Sequence, residues 1–414
     1  MSLLDRPQAD RPSQYRYVIY LLLFVMSLTN YADRSVLSVA MPELCQEFSL
    51  STEQAGWVLS SFLWSYSLLN FPSALLVDRV GPRWVGACSA ALWSVAMVMG
   101  GVMRSIPQFL LSRVILGAGE SPTFSLGSRA VKDWAPPSER GFALTLSMSG
   151  IQGGLAAGAV LGSWLIGRWG WRMAFFVLGL AGLAWAGIWL LLYRQPGVAT
   201  PPVRRKGSSL AVLHVVTKPV FWAVAIPQCV ANYATFLMLS WLPLYLIDTF
   251  HITAAQSGNY FSLCYFVSVF ISIGLGRLFY FLGRLRDFGH GGRRYLVALS
   301  LAGAMVIWLV PFIDNLSLCL AIVSFGMAMI VVSYGESVAL IGDLTPVHDL
   351  TGSVCGVIIT VSSALGATAP VATGYLVAAN SGFQAAFSVA ALFLLAGAIV
   401  SCLPIRQFLV SATD

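Results

Sequence analysis

A polar stretch near the middle of the chain decides how the rest is organised. It runs from Arg194-Gln195-Pro196-Gly197 to Pro201-Pro202-Val203-Arg204-Arg205-Lys206-Gly207-Ser208-Ser209 and has no apolar period. It interrupts a chain of 414 residues that is 57% hydrophobic and only 10% charged. A soluble protein carries roughly 25% charged residues, so a water-soluble fold of this length could not cover its surface. The composition therefore excludes a soluble enzyme, a secreted disulfide scaffold, a disordered chain and a nucleic-acid binder.

Apolar stretches long enough to cross a bilayer lie on both sides of this polar stretch. They fall near 16–40, 54–76, 84–103, 106–128, 141–165 and 172–193, and near 219–247, 255–281, 295–313, 316–342, 351–378 and 383–404. The sequence predicts an all-α polytopic membrane protein with twelve transmembrane helices in two bundles of six. Its predicted parts are a cytoplasmic tail at 1–15, a bundle at 16–193, a cytoplasmic linker at 194–218, a bundle at 219–404 and a cytoplasmic tail at 405–414.

The distribution of lysine and arginine predicts the orientation, because cytoplasmic loops are enriched in basic residues. Nineteen of the 24 basic residues fall in the two tails and in the loops that follow even-numbered spans. The opposite side has Arg104, Arg168 and Arg172. We therefore expect both termini in the cytoplasm, with the chain in the inner (cytoplasmic) membrane. The net charge of +7 then reflects topology, not affinity for nucleic acid.

Ionisable residues inside predicted spans are the strongest indication of a functional site. A charged side chain in hydrocarbon costs about 2.5–3.5 kcal/mol, so it normally faces a partner or a water-filled cavity. The first span contains Asp33 and Arg34, the fourth contains Arg113 and Glu120, and the tenth contains Glu336. Glu336 is alone in its half, where it could line a cavity or form a hydrogen bond between helices.

The four charges of the first half can be arranged in one neutral site. Asp33 and Arg34 are adjacent, so their side chains diverge by about 100° and cannot pair well with each other. Arg113 and Glu120 share a helix face about 10 Å apart along its axis. If the two spans face each other, we expect Asp33 to meet Arg113, and Arg34 and Glu120 to project into one cavity. An anion bound at Arg34 and a proton bound at Glu120 or Asp33 would keep that site neutral.

Two further patterns have both a functional and a structural interpretation. Mid-span aromatic residues with a polar tip can contact a ligand, although each also fits the core or the membrane interface; these are Tyr31, Tyr66, Tyr233 and Trp241. In the fifth span a glycine recurs every fourth residue, at Gly150, Gly154, Gly158 and Gly162. Small residues at this spacing predict close packing against a neighbouring membrane helix.

Several segments resemble a known family. Asp78-Arg79-Val80-Gly81-Pro82-Arg83 resembles the D-R-x-G-x-R loop of the major facilitator superfamily. Within it, three segments are similar to the anion:cation symporter family, whose members include bacterial galactonate and hexuronate transporters and vesicular glutamate transporters. These segments are Asn30-Tyr31-Ala32-Asp33-Arg34, Arg113-Val114-Ile115-Leu116-Gly117-Ala118-Gly119-Glu120-Ser121-Pro122 and Trp134-Ala135-Pro136-Pro137-Ser138-Glu139-Arg140. The resemblance implies the major facilitator fold, in which two six-helix bundles rock about a central site.

The resemblance also implies roles for individual residues. Asp33 and Glu120 fall on the family's proton-carrying acids, Arg34 on its carboxylate-binding arginine, Arg113 on the arginine linking the acids and Tyr66 on a binding-site tyrosine. Two positions depart from the sugar-acid transporters. The fifth-span amide, Gln152, lies one place late, and the eleventh-span asparagine aligns near Ile359 and Thr360. These departures leave two substrate classes open, a sugar acid and a less hydroxylated or larger organic anion.

The main interpretation is a secondary transporter that imports a small organic anion together with protons, in the lipid bilayer and as a monomer. The residues are also compatible with sodium as the coupling ion, with proton-coupled efflux of a drug or siderophore, and with a receptor that binds without transport. An enzyme is not expected, because the sequence has no metal-ligand cluster, nucleophile–base pair or phosphate loop. We expect no cofactor, no metal and no nucleic-acid partner.

Overall fold

The computed structural model describes residues 14–136, 139–194, 217–285, 293–344 and 348–403. Every regular element in these residues is helical. The first half contains α1 (Arg16–Phe48), α2 (Thr52–Val80), α3 (Pro82–Val102), α4 (Ile106–Glu120), α5 (Thr123–Trp134), α6 (Arg140–Trp169) and α7 (Trp171–Leu192). The predicted linker at 194–218 lies almost wholly outside the described residues.

The second half contains five long helices and a shorter one that continues as a 3₁₀ helix. These are α8 (Pro219–Phe250), α9 (Ala254–Leu285), α10 (Arg293–Ala304) with the 3₁₀ helix Met305–Phe312, α11 (Leu316–Leu344), α12 (His348–Leu376) with the π-helical turn Val377–Ser381, and α13 (Gly382–Cys402). Within the described residues, nine helical segments are long and apolar enough to cross a membrane. These nine include all six spans of the second half.

The first half differs from the prediction where polar residues and proline occur. The predicted span at 106–128 is two helices, because α4 ends at Glu120 and α5 begins at Thr123, after Pro122. Proline lacks the amide hydrogen that a helix interior needs, so a break at this position is expected. The first span is also longer than predicted, since α1 continues to Phe48.

The glycine repeat of α6 packs directly on α1, which confirms the predicted role. A Cβ atom on Gly150 would lie 2.5 Å from the backbone oxygen of Phe24, and one on Gly158 would lie 2.5 Å from the Cα of Ala32. Gly154 meets the backbone of Leu28 in the same way, and Gly162 meets the side chain of Val36. The two helices therefore pack closely from Gly150 to Gly162, with backbone contact at the first three of these glycines, which larger residues would prevent.

The two halves contact each other at one end of the bundle. We call the end where α1 begins the near end and the opposite end the far end. At the far end α2 packs on α12: a Cβ atom on Gly56 would lie 2.5 Å from the Pro370 oxygen, and one on Gly374 would lie 2.6 Å from the Thr52 oxygen. The helices α6 and α9 also meet there, where Gly258 lies against Ser163. These glycines close the far end between the halves.

The segment Asp78–Arg83, predicted as a loop, spans the junction of α2 and α3 at the near end, where Gly81 alone separates the two helices. Gly81 has a φ of 94°, which side chains with a Cβ rarely adopt. Arg83 Nη2 donates to the Leu190 oxygen at 3.1 Å, and Arg129 Nη1 donates to Asp78 Oδ1 at 3.4 Å. The segment Asp78–Arg83 therefore connects the near ends of α2, α3, α5 and α7.

Candidate functional site

The four in-span charges of the first half lie in its interior. Asp33, Arg34, Arg113 and Glu120 are 4%, 5%, 1% and 0% exposed, and they are the buried charged residues among those the structure describes. They come from two helices, with Asp33 and Arg34 on α1 and Arg113 and Glu120 on α4. The predicted juxtaposition of the first and fourth spans is therefore present.

Arg34 and Glu120 form a buried ion pair. Arg34 Nη2 donates to Glu120 Oε2 at 2.7 Å, and Arg34 Nε donates to the same oxygen at 3.0 Å. The other carboxylate oxygen, Glu120 Oε1, is buried and accepts no hydrogen bond from the described residues. The Asn30 side chain lies beside this carboxylate and interacts with it. The ion pair thus uses one oxygen of Glu120 and leaves Oε1 without a donor from Arg34.

Aromatic rings surround the Arg34 guanidinium. Its central carbon lies 4.3 Å from the ring centroid of Tyr31, 5.0 Å from that of Tyr66 and 5.1 Å from that of Phe62. Ring faces attract a cation and fix the plane of the guanidinium. Tyr31 and Tyr66, predicted as ligand contacts, are thus placed beside the predicted anion-binding arginine.

The prediction that the Asp33 side chain meets Arg113 is wrong, because Arg113 contacts other side chains. Arg113 instead directs Nη1 and Nη2 to the Met97 sulfur at 3.5 Å, and its guanidinium lies between the rings of Phe109 and Phe175. It still interacts electrostatically with both Asp33 and Glu120. Arg113 therefore supplies positive charge to both acids without closing an ion pair. The ion pair that does form between the two helices joins Arg34 of α1 to Glu120 of α4.

A cavity of about 110 Å³, enough for several water molecules, adjoins the ion pair. Its lining comes from α1, α2, α5 and α6: Ser27, Asn30, Tyr31, Arg34, Tyr66, Thr123, Phe124, Gly127, Ser128, Leu144, Ser147, Met148 and Ile151. Arg34 is the charged residue of this lining. An anion entering the cavity would therefore meet the Arg34 guanidinium.

Two of the predicted aromatic ligand contacts lie in the packed interior of the second half. Tyr233 packs edge-on against Phe393 at 4.9 Å, and its hydroxyl has no partner among the described residues. Trp241 donates from Nε1 to the Pro370 oxygen at 3.1 Å and contacts Phe383. Neither lines the cavity beside Arg34.

The remaining predicted site residues are also separate from that cavity. Glu336 accepts a hydrogen bond from Arg293 Nη1 at 3.2 Å. Thr360 donates to the Gly356 oxygen of its own helix at 3.0 Å. Gln152 lies next to the lining residue Ile151, and its Oε1 is buried without a partner.

A polar cluster on the second half was not predicted by the sequence analysis. Tyr334 Oη donates to Asn232 Oδ1 at 2.9 Å, and Asn232 Nδ2 donates to Ser362 Oγ at 3.2 Å. The Thr235 hydroxyl lies 2.9 Å from Tyr334 Oη. These uncharged residues come from α8, α11 and α12. Asn232 is the one with a detectable signal, since a mid-span amide needs a polar partner.

A bundle of long apolar helices around a cluster of buried charges is typical of a membrane transporter. The family model described as the Major Facilitator Superfamily matches residues 23–334. The chain belongs to the Major Facilitator Superfamily and is a transporter, not an enzyme.

Individual relatives are distant but extend over nearly the whole chain. The chain is 27% identical to the probable galactarate/D-glucarate transporter GarP of Escherichia coli (strain K12), covering 90% of each protein. It is 27% identical to the D-galactonate transporter of Escherichia coli O6:H1, covering 96% of this chain and 97% of the relative. A bacterial homolog of the human lysosomal transporter Spinster, solved in an inward-facing and unoccupied conformation, matches with a TM-score of 0.78 and 18% identity over 94% of this chain and 96% of that chain.

Proposed function

We propose that the protein is a proton-coupled symporter that takes up a small organic anion, a carboxylate or sugar acid, across the cell inner membrane. The observation that carries the proposal is the buried Arg34–Glu120 ion pair beside a cavity. The printed names of the relatives, which are transporters of galactarate, glucarate and galactonate, support an organic acid as the substrate.

The ion pair suggests how anion and proton are coupled. A substrate carboxylate at Arg34 competes with Glu120 for the same guanidinium. Displaced from Arg34, an ionised Glu120 would be a buried carboxylate without an adjacent cation, which is costly. A proton on Glu120 removes this cost. Anion binding and proton binding therefore favour each other, and the loaded site stays neutral.

Asp33 and Arg113 form the second part of the proposed coupling site. Asp33 interacts electrostatically with Glu120, Arg113 and Arg34. A proton on Asp33 would remove a negative charge close to Arg113 and Glu120. It would therefore change the electrostatic interaction between these two residues without contacting the substrate. We assign proton carriage to Glu120 and Asp33, anion binding to Arg34, and electrostatic linkage of the acids to Arg113.

Alternating access requires that the two halves separate at one end and meet at the other. In the structure they meet at the far end, through Gly56, Gly258 and Gly374. We place the near end, with both termini, in the cytoplasm, so that the structure corresponds to a carrier open to the cytoplasm. A reporter fused after Asp414 should be active only in its cytoplasmic format, and periplasmic activity would contradict this orientation.

A direct test uses purified protein in vesicles that contain a pH-sensitive dye. Addition of a panel of sugar acids and simpler carboxylates should acidify the lumen only for those anions that enter with protons. The same anions should drive no pH change in protein-free vesicles. Entry of an anion without a pH change, at any anion concentration, would contradict proton symport and leave sodium to be tested as the coupling ion.

A further inference from the structure

A groove lies on the outer surface of the second half, between α13 and α10 with its 3₁₀ extension. Its volume is about 730 Å³. Both of its walls belong to helical segments that are long and apolar enough to cross a membrane. The lining is apolar apart from Ser388 and the indole nitrogen of Trp308, and Trp308 Nε1 donates to Ser388 Oγ at 3.2 Å. The two polar side chains of the groove therefore satisfy each other.

The 3₁₀ helix Met305–Phe312 forms one wall of the groove. A 3₁₀ helix has about three residues per turn, so side chains at i and i+3 lie in line. Met305 and Trp308 form one such row, and Val306 and Leu309 form the next. All four of these residues line the groove. Two straight rows of large side chains therefore run along this wall.

Small residues form the floor of the groove and large ones form its rim. Ala391 at the floor is 5% exposed, whereas Trp308 and Leu392 at the rim are 46% and 62% exposed. Gly303 lies against α11, because a Cβ atom on it would be 2.8 Å from the Met329 side chain. The floor is therefore closed by protein, and the rim faces the membrane.

The position and shape of the groove favour a hydrocarbon chain as its occupant. Lipid chains surround the apolar part of a membrane span, whereas a water-soluble ligand does not reach it. Membrane helices associate where small residues let their backbones approach, but Ala391 lies behind the large side chains of the rim. A helix is about 10–12 Å wide with its side chains, and a single hydrocarbon chain is much thinner. Such a chain would contact the floor and both walls and gain dispersion energy from each.

Charge at the far end of the groove favours one class of lipid headgroup. The 3₁₀ helix ends at the far end, and α13 begins there. The sequence segments 305–320 and 376–392 contain a single charged residue, Asp314, which is exposed. The basic residues of α10, Arg293 and Arg294, lie at the near end. An anionic headgroup would meet an acidic residue there, whereas the ammonium group of a zwitterionic headgroup would be attracted to it.

We propose that this groove binds an acyl chain of phosphatidylethanolamine, with the ethanolamine headgroup beside Asp314. The lining residues of the cavity beside Arg34 all belong to the first half, so the lipid site and the anion site are separate. The inference therefore does not depend on the proposed transport of an anion, and its test needs no substrate.

The test uses vesicles of equal parts phosphatidylethanolamine and phosphatidylglycerol, with bromine on the acyl chains of one lipid or the other. Brominated chains quench the fluorescence of a tryptophan that they contact. The fluorescence lost in Trp308→Phe isolates the contribution of Trp308 among the 13 tryptophans of the chain. We expect brominated phosphatidylethanolamine to quench this contribution at least about twofold more strongly than brominated phosphatidylglycerol, because a charge near the membrane surface selects among headgroups.

Three variants separate the parts of the proposed site. Ala302→Leu narrows the groove at an exposed lining position and should abolish the difference between the two lipids. Its matched control, Ala181→Leu at an exposed position of α7, should preserve it. Asp314→Asn should equalise the two lipids without reducing their summed quenching of Trp308. Equal quenching by the two lipids in the wild-type protein, or stronger quenching by phosphatidylglycerol, would overturn the inference. Quenching by neither lipid would also overturn it, since protein would then cover the groove.

Discussion

Arg34 and Glu120 meet through a single carboxylate oxygen: Nε and Nη2 of Arg34 both donate to Oε2, at 3.0 and 2.7 Å. Oε1 is buried and unpartnered among the described residues. In a bidentate ion pair, two guanidinium nitrogens each donate to a different carboxylate oxygen, so both oxygens are satisfied. The observed geometry leaves Oε1 without a donor from Arg34. This one-sided contact suits a pair that is broken and remade in the proposed transport cycle.

Arg34→Lys tests the anion site. The planar guanidinium can give a carboxylate two parallel charge-assisted bonds, whereas the lysine ammonium is a point charge on a flexible stem. Hydrogen bonds to charged groups contribute about 1.5–3 kcal/mol each, so the affinity for a transported anion should fall at least about tenfold. Calorimetric or thermal-shift titration of the purified variant measures this.

The matched control for that variant is Arg104→Lys. Arg104 is exposed in the loop between α3 and α4 and lies at the far end, away from the cavity. Its replacement should leave both folding and anion affinity unchanged. Wild-type affinity in Arg34→Lys, with normal folding, would place the anion site elsewhere.

Gly158→Ala tests the packing of α6 on α1. The added Cβ would lie 2.5 Å from the Cα of Ala32 and closer still to the Ser35 hydroxyl. Overpacking of this kind costs about 1–3 kcal/mol, so the unfolding midpoint of the detergent-solubilised protein should fall. Gly167→Ala on the same helix is the control, because its Cβ meets nothing within 4 Å and alanine favours the helix. Equal midpoints for the two variants would argue against close packing of these helices.

Gly374→Ala tests closure of the far end. The added Cβ would lie 2.6 Å from the backbone oxygen of Thr52. Relieving this contact would require a shift of the backbone, which costs more free energy than a change of side-chain rotamer. The proposed transport cycle opens and closes this end, so exchange of labelled for unlabelled substrate in proteoliposomes should slow markedly. Gly187→Ala, at an exposed position on α7 with open space around it, should exchange at the wild-type rate. An undiminished rate in Gly374→Ala would mean that this contact is not part of the transport cycle.

The helical architecture and the buried charges were predictable because both follow from the cost of polar groups in hydrocarbon. Long runs of apolar residues predict membrane spans. A charged residue within such a run is expected to face the protein interior and not the lipid. The packing role of the glycine repeat of α6 was also predictable. Small residues at four-residue spacing lie on one face of a helix, where they allow a neighbouring helix to approach closely.

The pairing of the charges could not be predicted, because sequence separation does not determine which side chains meet across helices. Arg113 was expected beside Asp33, but Met97, Phe109 and Phe175 hold it further away. The polar cluster of Asn232, Thr235, Tyr334 and Ser362 was missed for the same reason. Its members lie far apart in sequence and none is charged, so only Asn232, a mid-span amide, carries a local signal.

Glu120→Gln tests the proposed coupling most directly. Glutamine is a neutral, hydrogen-bonding mimic of protonated glutamic acid, so the variant should still bind a labelled anion that the wild-type protein accumulates. In proteoliposomes it should exchange labelled for unlabelled anion across the membrane, since exchange needs only the loaded carrier to change conformation. It should lose accumulation driven by an imposed pH gradient, because this side chain can no longer release its proton and return empty. Accumulation by Glu120→Gln to the wild-type level would show that Glu120 is structural and would contradict the proposed mechanism.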